Sequence, residues 1–202
     1  MAYPTVSAPY GLEPVKRVDG LPYAGAIRQI PIAAGYATAI LNGATVKLSG
    51  GFLVADTSTN AATPCGVLVG CQYINSNGQT VQGQYYPASL STAANPAYAY
   101  VVDDPNAIFK VAVVSSGTTM TYTTRAAVVG QNVPMAQNGG STTTGNSTIG
   151  VVASGAGTTA TIPLRVIDVV PDTSVVVSGT TYYYELLVKI NTHQYNNTTG
   201  VA

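Results

Sequence analysis

The chain has 202 residues, of which 46% are hydrophobic and only 8% charged, with eight Lys+Arg against eight Asp+Glu and a formal net charge of zero. A chain this apolar and this balanced collapses instead of staying disordered, and a chain with no Lys/Arg run lacks the cations that nucleic-acid phosphates require. Its exterior must be made of Thr, Ser, Asn, Gln and Gly, and with no charge to hold copies apart an assembly is expected.

Residues 1–25 carry Pro4, Pro9 and Pro14 and the tyrosines Tyr3, Tyr10 and Tyr23, with neither a helical nor a strand period. Proline fixes φ and removes a donor, so this stretch reads as an extended N-terminal arm outside any sheet, with Tyr3, Pro4, Pro9, Tyr10, Pro14 and Tyr23 as candidate contacts to a partner or a second subunit. No apolar run of signal-peptide type occurs in the first 30 residues and none is long enough for a membrane helix. The expectation is a protein made in a cytoplasm, with no membrane partner.

From residue 26 onward, short segments rich in Val, Ile, Thr and Tyr recur between Gly, Asn, Ser and Pro. They predict strands over 27–32, 37–41, 44–48, 52–55, 67–73, 80–86, 98–102, 108–114, 120–124, 126–129, 149–153, 161–167 and 182–190. No stretch of 12 or more residues has helical apolar spacing with caps. The fold class is therefore all-β: an antiparallel sandwich or barrel-like domain over 26–202, with long loops and room for two packed β-layers. Asn75-Ser76-Asn77-Gly78 predicts a hairpin turn, and the alternation in Leu164–Val169 and Glu185–Ile190 predicts an antiparallel pair. The stretches 138–148 and 154–159 read as polar surface loops.

Chemistry-bearing residues are sparse. Cys65 and Cys71 bracket one strand, and six residues at ~3.3 Å each hold the thiols about 20 Å apart, too far for a disulfide. His193 is the only histidine, so a Ser or Cys triad has no plausible base, and neither a phosphate loop nor a dinucleotide fingerprint follows any strand. Asp103-Asp104-Pro105-Asn106 reads as a structural turn, Pro105 supplying φ and an Asp side chain accepting backbone N–H groups; three oxygen-bearing side chains fall short of the six to eight ligands calcium needs. The runs Tyr85-Tyr86 and Tyr182-Tyr183-Tyr184 raise a sugar-stacking alternative, although neighbours on a strand face opposite ways. The expectation is no enzyme, no catalytic residue, no metal and no cofactor.

Several stretches, in order, resemble a family of structural proteins of tailed bacteriophages, notably short-tailed phages of cyanobacteria and other marine bacteria. They are the Pro/Tyr-rich opening Met1–Val15, Ile30-Pro31-Ile32-Ala33, Gly35-Tyr36-Ala37-Thr38, Val101–Asn106 leading into Phe109, Val129-Gly130-Gln131-Asn132, Leu164-Arg165-Val166, and Val188–Asn191 with His193-Gln194-Tyr195. The resemblance implies a virion component assembled in the host bacterial cytoplasm. The favoured role is a head decoration or cement protein, bound to the major capsid protein on the capsid exterior as a homotrimer. A tail or neck component and a host-glycan adhesion module are the alternatives.

Overall fold

The structure is a computed structural model that describes residues 9–114 and 121–196. It is an all-β chain wound into two closed barrels.

The first strand, β1 (Glu13–Arg17), belongs to the second barrel. The first barrel is built from β2 (Arg28–Ile32), β3 (Thr45–Ser49), β4 (Phe52–Ala55), β5 (Gly66–Ile74), β6 (Thr80–Gly83) and β7 (Ala97–Val102). Their order is β3-β4-β2-β7-β5, with β6 beside β5, and β3 also pairs with β5, which closes the ring. Closure removes the open sheet edge. The barrel interior holds Ile30, Ile32, Ile40, Val46, Leu53, Cys65, Leu68, Cys71, Tyr86, Ala97, Ala99 and Val101. A bulge between Leu68 and Gly70 resets the alternation of β5, so Leu68 and Cys71, three residues apart, both face inward while Val67 and Val69 pack against the other barrel. Gly66 cannot carry a side chain, because a Cβ there would sit 2.3 Å from the Val102 carbonyl oxygen.

The second barrel begins with β8 (Ala107–Val114), and the one-turn helix α1 (Arg125–Val128) follows. β9 (Asn132–Val133) and β10 (Met135–Ala136) are halves of one run split by Pro134. β11 (Gly140–Ser141) and β12 (Asn146–Ser147) form a small hairpin, then come β13 (Gly150–Val152), β14 (Leu164–Val169), the hairpin β15 (Val175–Val177) and β16 (Thr180–Tyr182), and β17 (Glu185–Ile190). The sheet order is β10-β13-β8-β17-β14-β9, so the run split at Pro134 pairs with both ends of the sheet and closes it. Proline lacks an N–H, and the run changes partner at that residue. β8 is flanked on one edge by β17, and on the other by β1 over Ala107–Lys110 and by β13 over Val113–Val114.

The antiparallel pairing of β14 with β17 and the Asn75–Gly78 turn are as the sequence predicts; Gly78 has φ +77° and its N–H donates to the Asn75 carbonyl. Four expectations are corrected. Residues 126–129 lie largely in α1, where alanine favours helix and Gly130, at φ +82°, ends it. Residues 37–41 contribute only a bridge between Ile40 and Tyr86, and of 120–124 only Thr123 pairs, with Tyr183, Met120 lying outside the described residues.

The fourth correction is the arm. Leu12 is 2% exposed in the core of the second barrel, and Glu13–Arg17 pairs antiparallel with β8 of the same chain. Pro14 is tolerated because β1 is a short edge strand whose register shifts between Pro14 and Lys16. Residues 9–23 are thus part of the fold and not a free arm. The C-terminus makes the reciprocal crossing. From the second barrel the tail runs back over the first, where Thr192 Oγ1 donates to the Ala62 carbonyl (2.6 Å), Gln194 N to the Pro64 carbonyl (3.0 Å), and the Gln194 side chain brackets Leu48 through N–H and C=O.

Candidate functional site

Of the residues expected to make outside contacts, Tyr3 and Pro4 lie outside the described residues. The other four are used internally. Pro9 is buried. Tyr10 donates its hydroxyl to Glu185 (2.7 Å) and lies 5.4 Å beneath the Lys110 ammonium, while Lys110 pairs with Glu13 at 3.0 Å. Burial, followed by the Glu185 hydrogen bond and the charges of Glu185 and Glu13, pushes the Tyr10 phenol far up, so it remains a donor. Pro14 is half-buried opposite Phe109, and Tyr23 packs on the second core with its amide on the Val15 carbonyl and its hydroxyl on the Ala26 carbonyl.

Close by in the chain are four exposed large apolar side chains, Val15 (39% exposed), Val18 (49%), Leu21 (58%) and Ile27 (50%). The periodless composition of 1–25 concealed the first three, because the same small and apolar residues serve core and surface.

The Asp103–Asn106 segment is a turn, as expected. Ala107 N donates to the Asp104 carbonyl (2.9 Å), Asn106 N to Asp104 Oδ1 (2.8 Å), and Pro105 occupies the first central position. The turn is also the step from first barrel to second, and its carboxylates gather charge from three directions. Asp103 pairs with Arg28 at 2.7 Å and accepts from the Tyr195 hydroxyl at 3.2 Å, Asp104 pairs with Arg17 at 3.3 Å, and the Arg28 guanidinium lies 5.1 Å over the Tyr195 ring. Burial raises the Asp103 carboxyl despite Arg28.

His193, fully buried, stacks near Tyr195 (5.0 Å between rings), and its Nδ1 accepts the Tyr195 amide at 3.2 Å. That bond assigns the proton to Nε2. Burial drives the His193 pKa down to about 4, with Asp104 and the Cys65 backbone pulling the other way and Lys189 adding to the depression. The ring is neutral and inaccessible. Both cysteines are free and buried, and burial pushes Cys65 up to about 12 and Cys71 to about 11, so neither is a thiolate at neutral pH. Among the described residues no group of three His, Cys, Asp or Glu could hold a metal ion. A concavity of about 450 Å³ lies between the barrels along Ile40, Thr45, Asp56, Gln137 and Ile149. Asp56 is committed there to the amides of Ser58 and Thr63 and to Lys47.

The terminal tyrosine run splits as expected, with Tyr183 on the second core and Tyr182 and Tyr184 on the other side. Sequence reading missed that Tyr122, 60 residues earlier, joins them at 5.1 and 5.8 Å. Bridging of Thr123 to Tyr183 brings it there. No protein-family model, curated protein or solved structure matches this chain.

Proposed function

We propose that this protein is a non-enzymatic structural component of a tailed-phage particle, a head decoration protein that sits on the major capsid protein as a homotrimer. The observation that carries the reading, beside the sequence resemblance, is the mutual tying of the two barrels. A chain whose first strand pairs within the second barrel and whose tail grips the first is braced against shear, and its weakly charged exterior leaves the exposed apolar side chains Val18, Leu21 and Ile27 as ready contacts. Repeated weak contacts to symmetry-equivalent capsid sites add up through avidity. The contact is assigned to these exposed side chains in place of the tyrosines of the arm.

The test is a reconstruction of the parent particle by electron cryo-microscopy, together with light scattering of the purified protein. Threefold-symmetric density on the head exterior and a trimer mass support the proposal. Density confined to neck or tail, or a stable monomer at micromolar concentration, overturns it. A second reading, glycan adhesion, is favoured by the Tyr122–Tyr182–Tyr184 cluster, with Tyr122 49% exposed. Glycan-array binding that is lost in Tyr122→Ala selects it.

A further inference from the structure

The eight cations divide unevenly. Arg17, Arg28, Lys47, Lys110 and Arg125 each pair with a carboxylate, whereas among the described residues none lies within ion-pair distance of Lys16, Arg165 or Lys189. These three are far apart in sequence, and the sheet brings them together. Arg165 on β14 stands opposite Lys189 on β17, Lys189 opposite Ile108 on β8, and Ile108 opposite Lys16 on β1. Residues directly opposite share a face. The neighbours Leu164, Val166, Val188, Ile190, Ala107 and Phe109 fill the core, so the row Arg165–Lys189–Ile108–Lys16 faces the outside of the second barrel, with Arg165 exposed, Lys189 and Lys16 half-buried, and Ile108, 2% exposed, buried between the two lysines. Three strand spacings of ~4.8 Å make it about 14 Å long. Arg165 is held in place by a neutral acceptor, its Nε donating to Asn132 Oδ1, which leaves its charge unneutralised.

We propose that this row is a docking line for an acidic segment of a different protein. Charge complementarity selects the occupant. A second copy of this chain is a poor source, because six of the eight Asp and Glu carboxylates are ion-paired and Glu185 accepts from Tyr10, which among the described residues leaves Asp172. A nucleic-acid duplex fits poorly, since it carries a charge every ~1.7 Å of axis and covers a broad face. The next row on the same face, Asp168–Leu187–Lys110–Glu13, is neutralised, Glu13 pairing with Lys110 and Asp168 with Arg125, and the Asp168 carboxylate also acts on Lys16. A narrow positive line beside a neutral one suits an extended peptide with carboxylates on alternate residues, ~6.7 Å apart. The inference stands on this charge distribution and does not require the particle reading.

The experiment measures binding of fluorescently labelled poly-L-glutamate to the purified full chain by anisotropy at low ionic strength, with a 20-base-pair duplex in parallel. The proposal expects binding that weakens by about tenfold or more in the triple variant Lys16→Gln, Arg165→Gln, Lys189→Gln, and that falls with added salt. The paired-cation control Arg125→Gln binds as wild type. The glutamine chains keep most of each stem, and circular dichroism of the triple variant and of Arg165→Gln and Lys189→Gln singly identifies a folded variant for the comparison. Absence of poly-L-glutamate binding, equal binding by folded variants, or tighter duplex binding that is lost with the row overturns it. The probe contains no particle component, so its result and that of the reconstruction fail independently.

Discussion

At the scale of single residues, two positions carry sharp consequences. Gly11 and Gly43 meet where the N-terminal segment crosses the first barrel. Both have positive φ (86° and 78°), and a Cβ on Gly43 would lie 2.9 Å from the Tyr10 carbonyl oxygen. Left-handed backbone costs an L-residue about 1–2 kcal/mol before any clash is counted, so Gly43→Ala is expected to destabilise the protein by at least about 2 kcal/mol in denaturant titration. His193 gives the pH dependence. Its pKa falls from 6.5 in the free chain to about 4 when folded, so between those values the unfolded chain binds more protons. Stability is then full above about pH 6.5 and declines as pH falls toward 4. The raised Asp103 carboxyl acts with the opposite sign, favouring the folded state in its protonated form, which makes a variant necessary for the assignment. Melting temperature against pH should be flatter across this window in His193→Gln than in wild type; parallel curves would remove the histidine from the explanation.

At the scale of elements, β1 is the most informative. Since Leu12 and the β1–β8 ladder belong to the second barrel, a protein lacking residues 1–25 should melt at markedly lower temperature. Leu12→Ala alone should cost about 2–5 kcal/mol, as for other fully buried leucines, and a melting temperature equal to that of wild type would return these residues to the status of an arm. Why β1 was illegible is physical. Proline density argues against central strands, but a short strand at the sheet edge, paired with β8, bridged on its other side only at Lys16 to Pro22 and shifted in register just after Pro14, avoids the missing N–H, and no local signal distinguishes that case. Phe52–Ala55 and Val67–Tyr73 were legible because β-branched runs between glycine turns report themselves locally. The two-residue strands β9 and β10 were not, since their identity lies in which distant strands they pair with. The turn at Asp103–Asn106 was readable from Asp-Pro-Asn alone, whereas its ion pairs with Arg17 and Arg28 and the cation row depend on register between residues as distant in the chain as Lys16 and Ile108.

At the scale of the whole molecule, the crossings at both ends predict that the barrels do not melt separately. Scanning calorimetry should show one transition whose calorimetric and van't Hoff enthalpies agree. Removing residues 191–202 takes away the Thr192 and Gln194 contacts to the first barrel and should lower the melting temperature or split the transition, while an unaltered single peak would show the tail to be dispensable. The pairing of β1 with β8 also orders events on the ribosome. Residues 13–17 emerge first, yet their partner, residues 107–110, is made only after every strand of the first barrel has been synthesised. At 5–20 residues per second, that is a wait on the order of 5–20 seconds in which Leu12 has no core to enter. The nascent chain must therefore carry an unsatisfied apolar leader past a finished barrel, and a translational pause before residue 107 lengthens its exposure to aggregation or to chaperone capture.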